Sequence, residues 1–469
     1  MLALAATSCP SVVVSYACGN DTDCGTGACV NQVCVLPDGE GEGEGEGEGE
    51  GEGEGEGEGE GEGEGEGEGE GEGEGEGEGE GEGEGEGEGE GEGEGEGEGE
   101  GEGEGEVGTQ VCVDVAGGGR ACYLDIAQPE HGFAEQPAPP ASGASVGHPY
   151  LRDATLACAS STFNADTITT GDVTLCGATV HVDAETAGRL VLTVRNLEVT
   201  GTLRFVGARD VALLAYGDLT VAAGAHLSVD AAGTTSGAGV LGCAAPAGSV
   251  DDGGGAGGSH GSRGGDGGTN AGGDQGGVAA PATSGSIHEQ LRRGCAGGGA
   301  NYGGTAGGGA GGALQLTAGG VIAVDGAVSA NGAGGPTDAS GGAGGAGGGS
   351  GGDLYVQAAR LIVGPSGSLT AQGGGGGGGN GTAVWPAGSD GPLDPASRAA
   401  GASTATSTGG SGAGGAGTGS LAAATAGGPA PGGAGAGGGG GGAGRIGAAL
   451  SNGCAGLPAA RASPAIDCR

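Results

Sequence analysis

The 469-residue chain lacks lysine and is poor in aromatic side chains. All 14 of its basic residues are arginine, and no basic cluster is larger than the pair Arg292 and Arg293. Nucleic-acid binding requires a basic patch or stripe, so this composition excludes a nucleic-acid partner. Aromatic residues make up only 2% of the chain, so any core has to be built from Val, Leu, Ile and Ala in thin layers.

The sequence also lacks the common signatures of membrane spans and of catalysis. No apolar run reaches the ~20 residues that a membrane-spanning helix needs. No Gly-x-Ser-x-Gly motif lies between a strand and a helix, so a hydrolase nucleophile is not indicated. We therefore expect no catalytic, cofactor-binding or metal-ligating residue, and surface or turn positions for the scattered histidines: His131, His148, His181, His226, His260 and His288.

A strict Gly-Glu alternation occupies residues 39–106. It holds 34 of the 61 acidic residues, which leaves 27 against 14 arginines and a net charge of about −13 over the remaining 401 residues. Repulsion between like charges and the high backbone entropy of Gly oppose folding, so we predict a disordered spacer over residues 37–106. Its carboxylates also attract cations, and weak calcium association stays an alternative, although a mobile chain cannot form a rigid calcium cage.

Thirteen cysteines indicate an oxidising compartment. Twelve of them form a tight group of four and four pairs that are each local in sequence, which predicts six disulfides. These disulfide candidates are Cys18, Cys24, Cys29 and Cys34, then Cys112 with Cys122, Cys158 with Cys176, Cys243 with Cys295, and Cys454 with Cys468. The connectivity of the first four stays open, because four cysteines allow three pairings.

Cys9 is the cysteine left over. The start "MLALAATSC" resembles the end of a bacterial lipoprotein signal, which implies lipidation of Cys9 and further signal sequence upstream. The alternative is an ordinary cleaved signal with an unpaired Cys9. A lipid would be the only membrane anchor.

The segments between Cys9 and residue 150 are short. "CGNDTDCGTGACVNQVC" is too small to fold on an apolar core, so disulfides should hold it together; its spacing does not favour zinc. It resembles small Cys-rich units near the start of secreted proteins of myxobacteria and related bacteria. Residues 107–127 predict a hairpin that turns at Gly117–Gly119 with Cys112 facing Cys122. Residues 128–150, rich in Pro and Ala, predict a linker.

Four stretches of about 20 residues, beginning at Leu192, Leu213, Leu314 and Leu354, repeat the same pattern of three short strands. Leu and Val alternate with Thr, Gln, Arg and Glu within each strand, so one face of each strand is apolar. A unit of this length with three strands predicts one coil of a parallel β-solenoid. Residues 166–188 are interpreted as a weaker, earlier coil. A β-sandwich is the alternative fold, because it also has short strands with frequent turns.

Two long Gly-rich excursions, about 232–312 and 373–444, contain almost no large apolar residue. We expect them to leave the solenoid as surface loops, with Cys243 and Cys295 closing the first one near its base. A second hypothesis is that runs such as "GGAGGAGGGSGG" order as bundled polyglycine helices with three residues per turn, since Gly and Ala permit close backbone packing.

β-Solenoids include polysaccharide lyases, so acidic and basic residues on one coil face are the best enzymatic candidates. Here these are Asp210, Asp218, Asp230, Asp251 and Asp252, with Arg204 and Arg209. Solvated turn carboxylates are the preferred interpretation. "GGDGGTNAGGD" resembles a single partial unit of the Gly-Asp calcium repeats, with Asp266 and Asp274 eight residues apart, but it lacks the large apolar residue that such turns need.

Taken together, "LLAYGDLTVAAG", "LQLTAGGVIAVDGAVSANG", the Gly-Ala insertions and "GGGGGGAGRIGAAL" resemble the Gly-rich secreted or surface solenoid proteins of myxobacteria and their relatives. The resemblance implies an all-β envelope or secreted protein and supplies no activity. The preferred function is structural or adhesive display at the cell surface, with an unidentified envelope or extracellular glycan or protein as the partner. The alternatives are a lyase-like carbohydrate-active enzyme and a glycan- or ice-binding module. The expected order is a signal or lipobox remnant (1–9), a Cys-rich module (10–36), the spacer (37–106), the hairpin (107–127), the linker (128–150), the solenoid (151–450) and a disulfide-closed C-terminal cap (451–469).

Overall fold

The computed structural model describes most of the chain after residue 151. The described residues are 28–30, 33–35, 110–116, 120–124, 144–145, 152–182, 188–240, 243, 246, 249, 251–300, 306–336, 344–379, 387–402, 417, 424–430, 434–455, 457 and 459–469. The chain divides into two compact units, Met1–Glu98 and Gly99–Arg469. The predictions for Cys9, Cys18, Cys24 and the Gly-Glu repeat lie outside the described residues.

The described residues form 24 β-strands and two short 3₁₀ turns, at Ala165–Thr167 and Ala459–Arg461, and none of them lies in an α-helix. The strands are β1 Ala28–Val30, β2 Val33–Val35, β3 Gln110–Ala116, β4 Arg120–Leu124, β5 Ala144–Ser145, β6 Ala154–Leu156, β7 Ser161–Asn164, β8 Gly171–Leu175, β9 Ala178–Val182, β10 Arg189–Val194, β11 Leu197–Val199, β12 Thr202–Val206, β13 Asp210–Ala215, β14 Leu219–Val221, β15 His226–Ser228, β16 Ala313–Ala318, β17 Val321–Val324, β18 Ala327–Ser329, β19 Asp353–Ala358, β20 Arg360–Val363, β21 Ser368–Thr370, β22 Arg445–Leu450, β23 Ala462–Ser463 and β24 Ile466–Cys468.

Two small hairpins precede the main sheets. In the first unit, β1 and β2 pair antiparallel with Cys29 opposite Cys34. In the second unit, β3 and β4 pair antiparallel with Cys112 opposite Cys122, the register expected from the sequence. β5, inside the segment interpreted as a linker, pairs parallel with β3.

Three sheets form the main body, and the pairing within them is parallel wherever the repeats meet. Sheet A has the order β20-β17-β14-β11-β6, sheet B the order β23-β21-β18-β15-β12-β7, and sheet C the order β24-β22-β19-β16-β13-β10-β9-β8. Each of the four repeats contributes its first strand to sheet C, its second to sheet A and its third to sheet B. The predicted all-β class with three strands per repeat is therefore confirmed. The parallel pairing argues against the alternative β-sandwich, which is built from antiparallel strands.

The core is a set of aliphatic columns that run across the three sheets, because the parallel register places equivalent residues of successive repeats next to each other. In sheet B the column is Leu203, Leu227, Val328, Leu369 and Ala462. These side chains belong to one large buried cluster that contains a single aromatic residue, Phe205. The core thus matches the aliphatic composition of the chain.

The interpretation of residues 166–188 as a coil was wrong. β8 and β9 form an antiparallel hairpin, and β9 pairs antiparallel with β10 at the end of sheet C. The turn between them has Cys176 at φ 49° and Gly177 at φ 86°, which reverses the chain where a coil would continue. The parallel partners of β11 and β12 in this region are instead β6 and β7.

The excursions are buried over much of their described length, so the expectation of surface loops was wrong there. Within the excursions, residues 253–260, 373–379 and 434–444 are buried, and so are residues 344–352, which lie between the third and fourth repeats. Their backbone N–H groups bond to carbonyls of other Gly-rich segments. We call these four segments the glycine layer.

The hydrogen bonds of residues 436–442 repeat every three residues, because each group of donors faces a different neighbouring segment. The amides of Ala436, Gly439 and Gly442 donate to the carbonyls of Asp252, Gly255 and Gly258, respectively. Those of Gly437 and Gly440 donate to Gly428 and Thr425. Those of Gly438 and Gly441 donate to Gly377 and Gly374. A helix with three residues per turn and no internal hydrogen bonds presents its backbone in this way. The geometry agrees with the second hypothesis, bundled polyglycine helices.

Three of the predicted disulfides are present: Cys158–Cys176, Cys243–Cys295 and Cys454–Cys468. Cys243–Cys295 joins residues 52 apart, the longest of the three separations, and brackets the first excursion.

Removal of this disulfide gives the first prediction. Replacing both Cys243 and Cys295 with Ala should lower stability by about 4 kcal/mol in the chain-entropy model, because the released loop gains freedom in the unfolded state. The same replacement at Cys454 and Cys468, only 14 residues apart, should cost less, about 3 kcal/mol. Urea unfolding of both variants checks the order of the two losses. An equal or reversed order would contradict the loop-length argument.

Candidate functional site

The outer face of sheet C carries a charged cluster centred on the fully buried Asp353, the first residue of β19. Arg445, its neighbour on β22, donates from Nε to Asp353 Oδ1 at 3.0 Å and from Nη2 to Oδ2 at 2.7 Å. His260 from the first excursion places Nε2 2.7 Å from Asp353 Oδ1, and the backbone N–H of Arg292 donates to Oδ2 at 2.8 Å. Burial would raise the pKa of Asp353, but His260 and Arg445 outweigh it and hold that pKa below its ordinary value.

Two residues farther along the strands, a second contact fixes the same excursion. Tyr355, Gly447 and Asp467 are neighbours across β19, β22 and β24. His288 lies near both ends of this row, with Nδ1 3.0 Å from Tyr355 Oη and Nε2 3.5 Å from Asp467 Oδ2. A Cβ at Gly447 would lie 2.7 Å from Ile287 Cγ2 and 2.8 Å from Tyr355 Cδ2, so only glycine leaves room for the segment above it.

A third contact involves Val240, near the start of the excursion, and Arg293, in its later part. Asp210, at the start of β13, accepts a hydrogen bond from the N–H of Val240 at 2.8 Å and lies 3.8 Å from Arg189 Nε on the neighbouring strand. Burial lowers the pKa of the Arg293 guanidinium, and the nearby charge of Asp210 opposes this effect. Asp210 and Asp353 therefore anchor consecutive parts of one excursion to sheet C.

The outer face of sheet B carries the second polar cluster. His226 Nε2 lies 2.7 Å from Ser329 Oγ, and Ser329 Oγ donates to Asp230 Oδ2 at 2.7 Å. His226 Nε2 also lies 3.5 Å from Asp230 Oδ2, so the hydroxyl and the carboxylate share one ring nitrogen. In a nucleophilic triad the carboxylate binds the other ring nitrogen, and here Ser329 is fully buried. These three residues are not arranged for nucleophilic catalysis.

Asp230 also begins a ladder of side chains that cap backbone N–H groups of the next repeat. Asp230 Oδ1 accepts from the N–H of Asn331 at 2.6 Å, and Asn331 Oδ1 accepts from the N–H of Gln372 at 2.7 Å. Arg204 Nε donates to the carbonyl oxygen of Asp230 at 2.8 Å, and burial lowers the pKa of Arg204. The ladder ties three repeats together.

Of the lyase candidates, the structure brings the basic residue Arg204 next to the acidic residue Asp230. Asp210 lies on sheet C, and Asp218 accepts from the N–H of Val321 in a turn. Arg209 donates to backbone carbonyls of Arg189, Ala165 and Ile168. Asp251 and Asp252 lie in the first excursion, where burial and the charges of Asp274 and Asp251 raise the pKa of Asp252.

The partial calcium motif does not assemble. The carboxylate of Asp266 accepts from the N–H of Ala279 at 2.8 Å. The backbone carbonyl of Asp274 accepts from the N–H of Asn270 at 3.2 Å, and its carboxylate accepts from Asn270 Nδ2 at 2.6 Å. Within the described part of the chain, no group of three or more His, Cys, Asp or Glu side chains is arranged to hold a metal ion.

The expectation of surface or turn positions was wrong for His260, which is fully buried. Its partner Asp353 is 93 residues away in sequence, and the partner Tyr355 of His288 is 67 residues away. No local pattern signals such contacts. His181, by contrast, lies 2.9 Å from the half-exposed Asp172 in the β8–β9 hairpin. His131 and His148 lie outside the described residues.

In comparisons with known proteins, no protein-family model, curated protein or solved structure matches the chain. Of the helices that the described residues contain, none is long and apolar enough to cross a membrane.

Proposed function

We propose that the chain is a non-enzymatic structural or adhesive display protein of the bacterial cell envelope. The observation that carries the proposal is the use of the polar clusters: the fully buried Asp353 binds His260, Arg445 and the backbone N–H of Arg292, and Arg445 also donates to the carbonyl of Gly285. Such groups hold a scaffold together and offer no accessible reacting atom.

The same proposal includes the way in which the repeats close into one body. Successive repeats visit sheets C, A and B in the same order, and each repeat pairs in register with the next. We infer that these repeats are the coils of a closed parallel β-solenoid with an aliphatic interior. The glycine layer would then stiffen the coil stack from outside.

Display requires a connection to the cell. Lipidation of Cys9 would anchor the chain, and the Gly-Glu repeat of 34 units would hold the body away from the surface. A flexible Gly-rich chain of that length spans roughly 45 Å, and charge repulsion extends it. Disulfides fit the oxidising outer compartments.

Protease shaving of intact native cells tests this assignment. Cleavage should release a body that begins after the Gly-Glu repeat, while a lipidated stub that starts at Cys9 stays in the membrane. A Cys9→Ala variant is the control and should appear in the medium without protease. Release only after the outer membrane is broken would contradict surface display and would favour a periplasmic structural role.

A glycan- or ice-binding module is the second candidate, and it rests on the order of the Gly-rich segments, since the glycine layer is itself buried. Backbone hydrogen bonds of 2.7–3.1 Å from the amides of Gly438, Gly440 and Gly441 hold neighbouring Gly-rich segments in a regular array. Sedimentation of the purified chain with insoluble polysaccharide and an ice-recrystallisation assay test it. For the lyase alternative, calcium-dependent release of unsaturated sugars is the discriminating observation, and Arg204→Ala should abolish it.

A further inference from the structure

Two polar atoms on the outer face of sheet B are buried without a hydrogen-bond partner among the described residues. One is Oε1 of the fully buried Gln372, whose Nε2 donates to the carbonyl of Asp394 at 3.0 Å. The other is Nη2 of Arg204, whose Nε donates to the carbonyl of Asp230 at 2.8 Å. A buried polar atom normally has a partner, so these two atoms point to a ligand that bonds with them.

A short segment, residues 388–394, lies over the ladder that runs from Asp230 to Gln372, and we call it the strap. Gly391 in the strap donates its N–H to the carbonyl of Gly332 at 2.9 Å, directly after the middle member of the ladder. Burial lowers the pKa of Arg204, and the charges of Asp230 and of Asp390 in the strap oppose this effect. The strap therefore reaches both ends of the ladder.

The strap meets the ladder with backbone carbonyls, which only accept hydrogen bonds. The carbonyl of Pro392 accepts from Asn331 Nδ2 at 3.4 Å, and the carbonyl of Asp394 accepts from Gln372 Nε2 at 3.0 Å. Gln372 Oε1 needs a donor, and Pro392 has no N–H. Leu393 is 39% exposed, so hydrogen bonds rather than apolar burial hold the strap in this place. The strap satisfies the donors of the ladder and leaves one of its acceptors unpaired.

The two unpaired atoms select the chemical class of the ligand. Gln372 Oε1 needs a donor, whereas Arg204 Nη2 needs an acceptor. A carboxylate accepts hydrogen bonds without donating, and an ammonium group donates without accepting. A hydroxyl group does both. We propose that the ladder is a saccharide-binding site, and that the strap covers it until the saccharide displaces the strap.

The length of the ladder favours an oligosaccharide over a single sugar. Arg204 lies on β12 and Gln372 directly follows β21, and β15 and β18 lie between these two strands in sheet B. Three strand spacings of ~4.8 Å separate the ends by roughly 14 Å. The source of the saccharide, an envelope or extracellular glycan, rests on the proposed adhesive function.

Binding of the purified full chain to an array of neutral oligosaccharides tests the site. The wild type should bind, and Gln372→Met, which removes both polar atoms from a side chain of similar length, should weaken binding at least ~10-fold. Gln275→Met is the matched control, because Gln275 is exposed in the first excursion and its Nε2 donates to the carbonyl of Gly273. This control should bind as the wild type does. Equal binding by the two variants would overturn the proposal.

A variant of the strap tests the cover without changing the ladder. Asp390→Ala removes the acceptor that holds the N–H of Gly334 at 2.8 Å, so the strap should open more often and binding should tighten several-fold. The amide of Gly391 should exchange faster once the oligosaccharide is bound, since the strap is displaced. An array on which neither the wild type nor Asp390→Ala binds any oligosaccharide, or a Gly391 amide that stays equally protected, would contradict the proposal. Surface display would still be decided by the shaving experiment, which does not depend on this site.

Discussion

Replacing Asp353 with Asn should lower the free energy of unfolding by about 3–5 kcal/mol, the usual loss when one partner of a buried ion pair is removed. Asp353 is fully buried, and Arg445 would keep its charge without a carboxylate beside it. The first excursion would lose its contacts through His260 and the N–H of Arg292 at the same time. We expect it to detach from sheet C before the sheets unfold.

Urea unfolding gives the overall loss, and limited proteolysis between residues 251 and 300 reports the detachment. Asp467→Asn is the matched control on the same sheet, because its side chain is 66% exposed and its contact to His288 is 3.5 Å long. An exposed pair of this kind contributes about 0–1 kcal/mol. Equal losses for the two variants would show that the buried cluster does not anchor the excursion.

The pH dependence of the wild type gives a second readout of the same cluster. The pKa of Asp353 is lowered in the folded chain, so the unfolded chain binds the proton more tightly. The contribution of Asp353 is therefore present above the ordinary Asp pKa of about 3.9 and is lost as the pH falls through the lowered value. Asn cannot ionise, so the stability difference between wild type and Asp353→Asn should shrink in strong acid.

Gly439→Ala should also have a large effect. A Cβ at Gly439 would lie 2.0 Å from the carbonyl oxygen of Gly265 and 2.6 Å from its carbonyl carbon. These atoms are backbone and cannot rotate away, so the glycine layer at Gly439 would have to separate from the segment that contains Gly265. Overpacking costs typically 1–3 kcal/mol, and we expect the upper end, about 3 kcal/mol, at this position.

Gly224→Ala is the control for the added methyl group. Gly224 has φ +79° and nothing within 4 Å of a new Cβ, so the substitution strains the backbone without a clash. Its cost should be about 1–2 kcal/mol, the penalty of the left-handed conformation. Thermal unfolding of both variants compares them, and a larger loss for Gly224→Ala would argue against a packed glycine layer.

The strands could be predicted because the signal for them is local. Each repeat ends in glycine, and its strands alternate apolar and polar residues, as β14 and β15 do. Equivalent strands of successive repeats then pair in register. The misinterpretation of residues 166–188 has a local cause as well. The hairpin has the same alternation as a coil, and only the turn at Cys176 and Gly177 reverses it.

The glycine layer and the polar clusters could not be predicted with the same precision. A run of glycines has no side-chain pattern, so the sequence allowed both a surface loop and a bundle of helices. The choice depends on hydrogen bonds between distant segments, such as Gly442 N–H to the carbonyl of Gly258. The anchors are equally distant, since Arg445 is 92 residues from Asp353.

Amide hydrogen exchange of the native chain tests the central claim most directly, because the account requires an ordered glycine layer. The amides of Gly255, Gly348 and Gly439 donate to other segments at 2.9 Å, and we expect them to be protected at least about 10³-fold, like the amides in the strands of sheet C. Exchange of these amides at the rate of an unfolded chain, with the strands still protected, would contradict the layer and return the excursions to surface loops.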